Sequence, residues 1–248
     1  MQFFALRRSG HHAIMNWVMW SIPGLVVFRN DRAMNQEKVV QPGRVQIYHG
    51  PRKLNISQQF ADFTWNHFPL STRVENFEDA ENLEFVGGYL SVLVMRDFYN
   101  NMASRLKWER EIRSRFRDES TQEDEAREHM HKAKKLWKEY ARVAISPPES
   151  VVVCHYDHWV GDEEYRKTLA TSLGVSGHQS AIRSTAQYGP GSSFEGKQST
   201  PDANKLTHRF ELFNDDDFFI DFVRDDEIVE LNDQLFGRTP SSQWVKGL

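Results

Sequence analysis

Cysteine is almost absent from these 248 residues: Cys154 stands alone. A single thiol excludes an intrachain disulfide framework and a cysteine-built zinc site, and it suits a reducing compartment. Long apolar runs are missing as well. No stretch approaches the roughly 20 apolar residues that a membrane-spanning helix needs, and a strand-like run already begins at Phe3, leaving no room for a signal peptide before it. Nor is there an excess of basic charge. Lys and Arg number 31 against 35 Asp and Glu, giving a net charge of −4, which argues against general affinity for nucleic acid. The expectation is a cytoplasmic protein with no nucleic-acid partner and no membrane span. No repeat or long linker interrupts the chain, which reads as one domain, 1–248.

What is present is core-forming material: 39% hydrophobic residues, with 17 Phe and 7 Trp. Phe3 to Leu6 reads as a buried strand, and Ala13 to Ile22 as a helix apolar almost all round, hence buried. Leu25 to Phe28, Arg44 to Tyr48 and Leu70 to Val74 read as further strands, with a short helix around Gln58 to Phe63. Tyr89 to Met95 has the continuous apolar character of a central parallel strand. From Phe98 to about residue 146 the pattern is helical and, beyond Arg105, densely charged with both signs. Ala133, Trp137, Tyr140 and Ala144 form one stripe, which fits a charged helical pair with a break near Asp118 to Gln122. Val151 to Cys154 is another strand, Glu163 to Leu173 a helix capped by Gly174, and Leu206 to Phe236 a run of short helices with Phe218, Phe219, Phe222 and Leu231 inward. Strands alternating with helices imply an α/β fold, a parallel β-sheet flanked by helices on both faces.

Two stretches carry chemistry. In the first, the strand to Leu6 runs into Arg7-Arg8-Ser9-Gly10-His11-His12-Ala13 at the start of a helix. Strand, glycine-bearing turn and helix N-terminus make a P-loop-like anion site, with backbone N–H groups and the helix dipole aimed at the ligand. Arg7 and Arg8 add full charges. A triphosphate-binding P-loop needs G-x-x-x-x-G-K-[ST], whose lysine reaches the phosphates and whose hydroxyl holds magnesium. Here Ala5 stands at the first glycine and His11-His12 at the Lys-Ser/Thr, so the magnesium ligand is missing. An ordinary tight turn carrying arginines is the plainer reading. In the second stretch, Arg96 closes the strand ending at Met95, and Ser104 follows eight residues later on the next helix. Arginine forks match phosphate oxygens, and ligands in such sheets bind at the carboxyl ends of strands. The plainer reading is that Arg96 and Asp97 pair and cap the helix.

Together these stretches resemble the sulfotransferases that use 3′-phosphoadenosine 5′-phosphosulfate (PAPS). Arg8-Ser9-Gly10-His11-His12-Ala13 resembles that family's 5′-phosphosulfate loop, usually Pro-Lys-Ser-Gly-Thr-Thr, and Arg96 to Ser104 resembles its 3′-phosphate motif. Val151 to Leu173 is similar to the family's strand and helix ending in Leu-Gly, and the loop Gly189 to Gly196 to its late loop closing over the nucleotide. The resemblance spans roughly 1–196 and implies PAPS as donor, adenosine 3′,5′-bisphosphate as product and no metal. It implies that Arg7, Arg8, Ser9, Gly10, His11, His12 and Ala13 hold the phosphosulfate, Arg96 and Ser104 the 3′-phosphate, and Gly189, Gly191, Ser192 and Ser193 the closed nucleotide.

Departures from the family pattern shape the chemistry expected. Arg8 replaces a lysine, and His11-His12 replace a hydroxyl pair. Arginine can stabilise a leaving oxygen electrostatically but is a poor proton donor, with a pKa above ~12. His11 or His12 could add hydrogen bonds as imidazole or imidazolium. A general base should take the acceptor's proton, for which His49, Glu75 and Glu78 are candidates, each equally readable as a turn or solvated residue. The acceptor is a small molecule or a glycan, and an oligomer is possible without being indicated. His129 and His131, two apart on a helix, point away from each other, and His155 and His158 read as turn residues. The rivals are a P-loop small-molecule kinase, weakened by the missing Lys-Ser/Thr, and a non-catalytic nucleotide-binding interaction protein.

Overall fold

The computed structural model describes residues 1–22, 25–30, 45–49, 52–54, 71–76, 90–113, 119–175 and 202–248. Seven strands form one sheet: β1 (Gln2–Ala5), β2 (Leu25–Asn30), β3 (Val45–His49), β4 (Arg52–Leu54), β5 (Ser71–Asn76), β6 (Ser91–Met95) and β7 (Val151–His155), in the order β4-β3-β2-β5-β1-β6-β7. The five strands from β2 to β7 in that order run parallel. β1 lies between β5 and β6, with Ala5 level with Asn76 on one side and Val94 on the other. A central parallel strand must be apolar on both faces, and Phe3, Phe4 and Ala5 are fully buried.

The all-parallel expectation needs one correction. β3 pairs antiparallel with β2, and β4, absent from the sequence reading, pairs antiparallel with β3. Only Gly50 and Pro51 separate β3 from β4. Two residues can join strands only as an antiparallel hairpin, because a parallel return needs a crossover of a dozen or more.

Helices cover both faces. Phe3, Ala5, Val92, Val94 and Cys154 pack with α1 (His11–Ser21), α4 (Tyr156–Gly161), α5 (Glu163–Ser172) and Leu206 of α6 (Ala203–Thr207). Phe4, Leu6, Leu93 and Met95 pack on the other side with α2 (Phe98–Trp108), α3 (Glu119–Ile145), α7 (Asp217–Val223), α8 (Asp226–Phe236) and α9 (Pro240–Lys246). The alternation of sides along β1 and β6 is the period-2 rule at work. The charged stretch is a helical pair from Phe98 to Ile145 as expected, but its first helix passes into a π-turn at Glu109–Arg113, and Glu119 to Gln122, expected within the break, already belong to the second. The stripe of Ala133, Trp137, Tyr140 and Ala144 is buried. Arg110 bridges Glu123 of α3 and Asp216, and so joins elements rather than standing free in solvent. His155 ends β7 and His158 lies within α4, rather than both in a turn. Of the inward tail residues, Phe219, Phe222 and Leu231 are buried and Phe218 is half-buried. The expected helix around Gln58 to Phe63 lies outside the described residues. Among the described residues, no helix is long and apolar enough to cross a membrane.

Candidate functional site

Beyond Ala5 the chain turns sharply: the Ser9 N–H donates to the Leu6 carbonyl at 3.2 Å. Two residues of this turn adopt left-handed backbone, Arg8 at φ 69° and Gly10 at φ 82°. Glycine accepts this conformation freely, whereas arginine holds it at a cost. At Gly10 the reason for glycine is doubled. A Cβ there would sit 2.1 Å from the Tyr156 ring, which leans on the turn from α4. Gly10 caps α1 with no side-chain hydrogen bond, which leaves the positive end of the helix dipole at the turn.

The second stretch arrives at the same end of the sheet. Arg96 follows β6, neighbour of β1, and is 2% exposed. Its guanidinium donates to the Arg8 carbonyl at 2.9 Å and the Leu206 carbonyl at 2.5 Å, and lies over the Tyr156 ring with its central carbon 5.0 Å from the centroid. Its Nε has no hydrogen-bond partner among the described residues. Ser104 is fully buried, and its Oγ accepts from Arg8 Nε at 3.4 Å and Arg209 Nη1 at 3.0 Å. Asn101 reaches the Arg7 carbonyl at 3.4 Å. Two motifs about ninety positions apart in sequence thus meet in one cluster, with Arg8 and Arg209 on a single hydroxyl and Arg96 on the Arg8 carbonyl.

Asp97 locks the arrangement from behind. Its Oδ1 accepts from the Asn100 N–H and side-chain amide, and its Oδ2 from Asn232, Thr239 and Ser241. Asn100 also donates to the Thr207 carbonyl and accepts from the Arg209 N–H, which fixes where Arg209 enters. The plainer reading of Arg96 and Asp97 as a mutual pair is not what forms: Arg96 bonds main-chain oxygens, and Asp97 caps α2 while gathering the C-terminal helices.

Electrostatics follow from this burial. Burial and then the nearby Arg96 push the Arg8 guanidinium down to about 10, which leaves it cationic at neutral pH. Burial, followed by His12 and Arg8, holds His11 well below its ordinary value. Burial and Arg8 bring His12 down to about 4. Both rings are therefore neutral at pH 7, which decides between imidazole and imidazolium. Their centroids lie 4.2 Å apart, and His11 Nδ1 is 3.3 Å from Ser9 Oγ.

The other expected residues fall out as follows. Register sets His49 opposite Leu25, at the amino end of the parallel strands and away from the turn. Glu75 pairs with Phe4 near the carboxyl end of β5, the end the turn occupies. Glu78, Gly189, Gly191, Ser192 and Ser193 lie outside the described residues. Arg209, Tyr156 and Asp157 were missed. Nothing local marks Arg209, which sits in a tail that reads as core-forming helices. Tyr156 and Asp157 directly follow a recognised strand and could have been suspected on position alone.

No protein-family model, curated protein or solved structure matches the chain.

Proposed function

We propose that the chain is a PAPS-dependent sulfotransferase, which moves the sulfuryl group of 3′-phosphoadenosine 5′-phosphosulfate to a hydroxyl or amine of a small molecule or glycan. The observation that carries this reading is the meeting of the Arg8–Gly10 turn with Arg96 and Ser104 at the carboxyl end of β1 and β6. One anionic group at the turn and a second near Ser104 fit a nucleotide with a 5′-phosphosulfate and a separate 3′-phosphate, and the missing Lys-Ser/Thr disfavours a magnesium triphosphate.

In the reaction the bond between sulfur and the bridging phosphate oxygen breaks as the acceptor oxygen or nitrogen attacks in line. Charge gathers on the departing phosphate, where cationic Arg8 and the N-terminus of α1 stabilise it. Neutral His12 can donate one N–H bond to it but holds no extra proton to give. The acceptor's proton passes to a base. The backbone position of Glu75 favours the acidic segment at and after the end of β5, Glu75 and Glu78, over His49. Accordingly Glu75→Gln or Glu78→Gln should lower kcat by about 10²-fold or more, while His49→Ala leaves it within about twofold. The reverse ranking would return His49 to the site.

The direct test is incubation with sulfur-labelled PAPS and an extract of the source cell, read by mass spectrometry for the molecule that gains a sulfuryl group. Absence of any labelled product, together with magnesium-dependent turnover of ATP, would overturn the reading in favour of a kinase. Tight binding of adenosine 3′,5′-bisphosphate with no product across a broad acceptor panel would leave a nucleotide-binding protein without catalysis.

A further inference from the structure

Behind the arginine cluster sit two carboxyl groups in close company. Asp157, the second residue of α4, accepts the Asp97 N–H through Oδ2 at 2.7 Å. As a residue Asp157 is only half-buried, but its Oδ1 is shut off from solvent and has no hydrogen-bond partner among the described residues. Asp97 is the opposite case. It is 1% exposed, and its two oxygens accept five hydrogen bonds. A carboxylate surrounded by donors stays ionised, and an under-bonded neighbour is the one that must take up a proton. The nearest charges are Arg96, which favours the ionised form of Asp157, and Asp97, which opposes it. On its own helix His158 follows directly, His155 precedes it at the end of β7, and Arg8 lies beyond Arg96.

We propose that binding of an anion at the Arg8–Arg96–Ser104 cluster is coupled to proton uptake from solvent by Asp157. The charge count gives the reason. Asp97 is ionised and close by, so an ionised Asp157 sets two carboxylates side by side, a placement that the field of Arg96 makes tolerable. An anion drawn to the same guanidinium adds like charge nearby and weakens Arg96's hold on Asp157. The carboxyl then takes a proton at Oδ1, and no other bond changes. Burial and Asp97 already lift this group to about 7, within reach of such a switch. Asp157 is thus a positioning residue: α4 carries Tyr156 onto Gly10 and beneath Arg96, and Asp157 ties α4 to the backbone of Asp97.

The sign follows. Asp157 is more readily protonated with the anion bound, so affinity is highest below its free midpoint and falls as pH rises through it. This inference rests on the anion-site reading above. Its test is calorimetric titration of adenosine 3′,5′-bisphosphate at pH 7 in two buffers of different ionisation enthalpy, with wild type and Asp157→Asn. The ligand's own titration is common to both proteins. Wild type should take up a larger fraction of a proton than the variant and, for a shift of about one unit, lose about fivefold more affinity between pH 6 and 8. Equal uptake in both overturns the coupling. Should Asp157→Asn not fold, carbon-13 NMR of aspartate-labelled wild type gives the answer directly. One carboxyl midpoint near neutrality must rise when ligand is added, and an unmoved midpoint overturns the proposal. Inorganic sulfate serves as a second probe. Uptake with sulfate but no binding of the nucleotide would sink the sulfotransferase reading and keep this one, and binding of neither would sink both.

Discussion

Arg8 carries the one left-handed backbone outside glycine among the described residues, at φ 69°. Such a conformation costs on the order of 1 kcal/mol for a residue with a Cβ, and here it aims a guanidinium at Ser104 while leaving the carbonyl to Arg96. Glycine would hold the same turn without that cost. Arg8→Gly is therefore expected to be about 1 kcal/mol more stable than Arg8→Ala in urea unfolding, although both lose the cation and with it transfer activity. Equal stabilities would mean the turn relaxes once the guanidinium is gone. At Gly10 the Tyr156 ring adds a steric demand to the positive φ. Gly10→Ala should cost at least ~2 kcal/mol, and part of that should return in a Tyr156→Ala background, because the ring is what the new methyl meets. Strict additivity of the two changes would exclude that contact. At this scale the residue types of the turn were legible from sequence, and the ring that covers it was not, since Tyr156 comes from a helix about 145 positions away.

Elements explain why the site stays assembled. The end of β6 is clamped by Asp97, whose carboxylate draws in Asn232 of α8 and Thr239 and Ser241 at the start of α9. Asn232 also accepts the Phe98 N–H, and Trp137 of α3 donates to the Arg96 carbonyl at 3.0 Å. The strand end bearing Arg96 is thus held by three helices. Removing the carboxylate leaves several buried donors without acceptors, so Asp97→Ala should cost about 3–5 kcal/mol, whereas Ser241→Ala, with one donor lost and the rest in place, should cost about 1 kcal/mol. Chemical denaturation checks both, and a Ser241→Ala cost equal to that of Asp97→Ala would mean the clamp is one bond rather than five. Helix α9 was unread in the sequence because a seven-residue element is too short for periodicity to declare itself. Strand β4 was missed for the same reason of length, although the two-residue connection before it dictated a hairpin.

Across the whole molecule, the order of strands and helices was readable because each central strand is a short apolar run between punctuating residues. The arrangement of the site was half readable. Arg8 and Arg96 stand at strand ends, where ligands bind in such sheets, but Arg209 and Asp157 reach the cluster through tertiary packing alone. That packing also sets how the protein responds to acid. His11, His12 and His155 are held below their ordinary value, chiefly by burial, the last two at about 4. A base with a lowered folded value binds fewer protons folded than unfolded, so stability is full above about pH 6.5 and is lost as pH falls below it. Asp157, lifted to about 7, works the other way, since the folded state keeps a proton that the unfolded chain has shed. Three imidazoles against one carboxyl leave a net uptake of roughly two protons on unfolding between about pH 6.5 and 4, reduced by the partial exposure of His12 and His155. Unfolding free energy is therefore expected to drop by on the order of 1–2 kcal/mol per pH unit across that window, measured by urea titration at pH 7, 5.5 and 4.5. His12→Gln should flatten the slope and Asp157→Asn should steepen it, because the first removes a proton gained on unfolding and the second removes the one that opposes it. A profile unchanged by either would place the acid sensitivity outside the cluster that Arg8 and Arg96 organise.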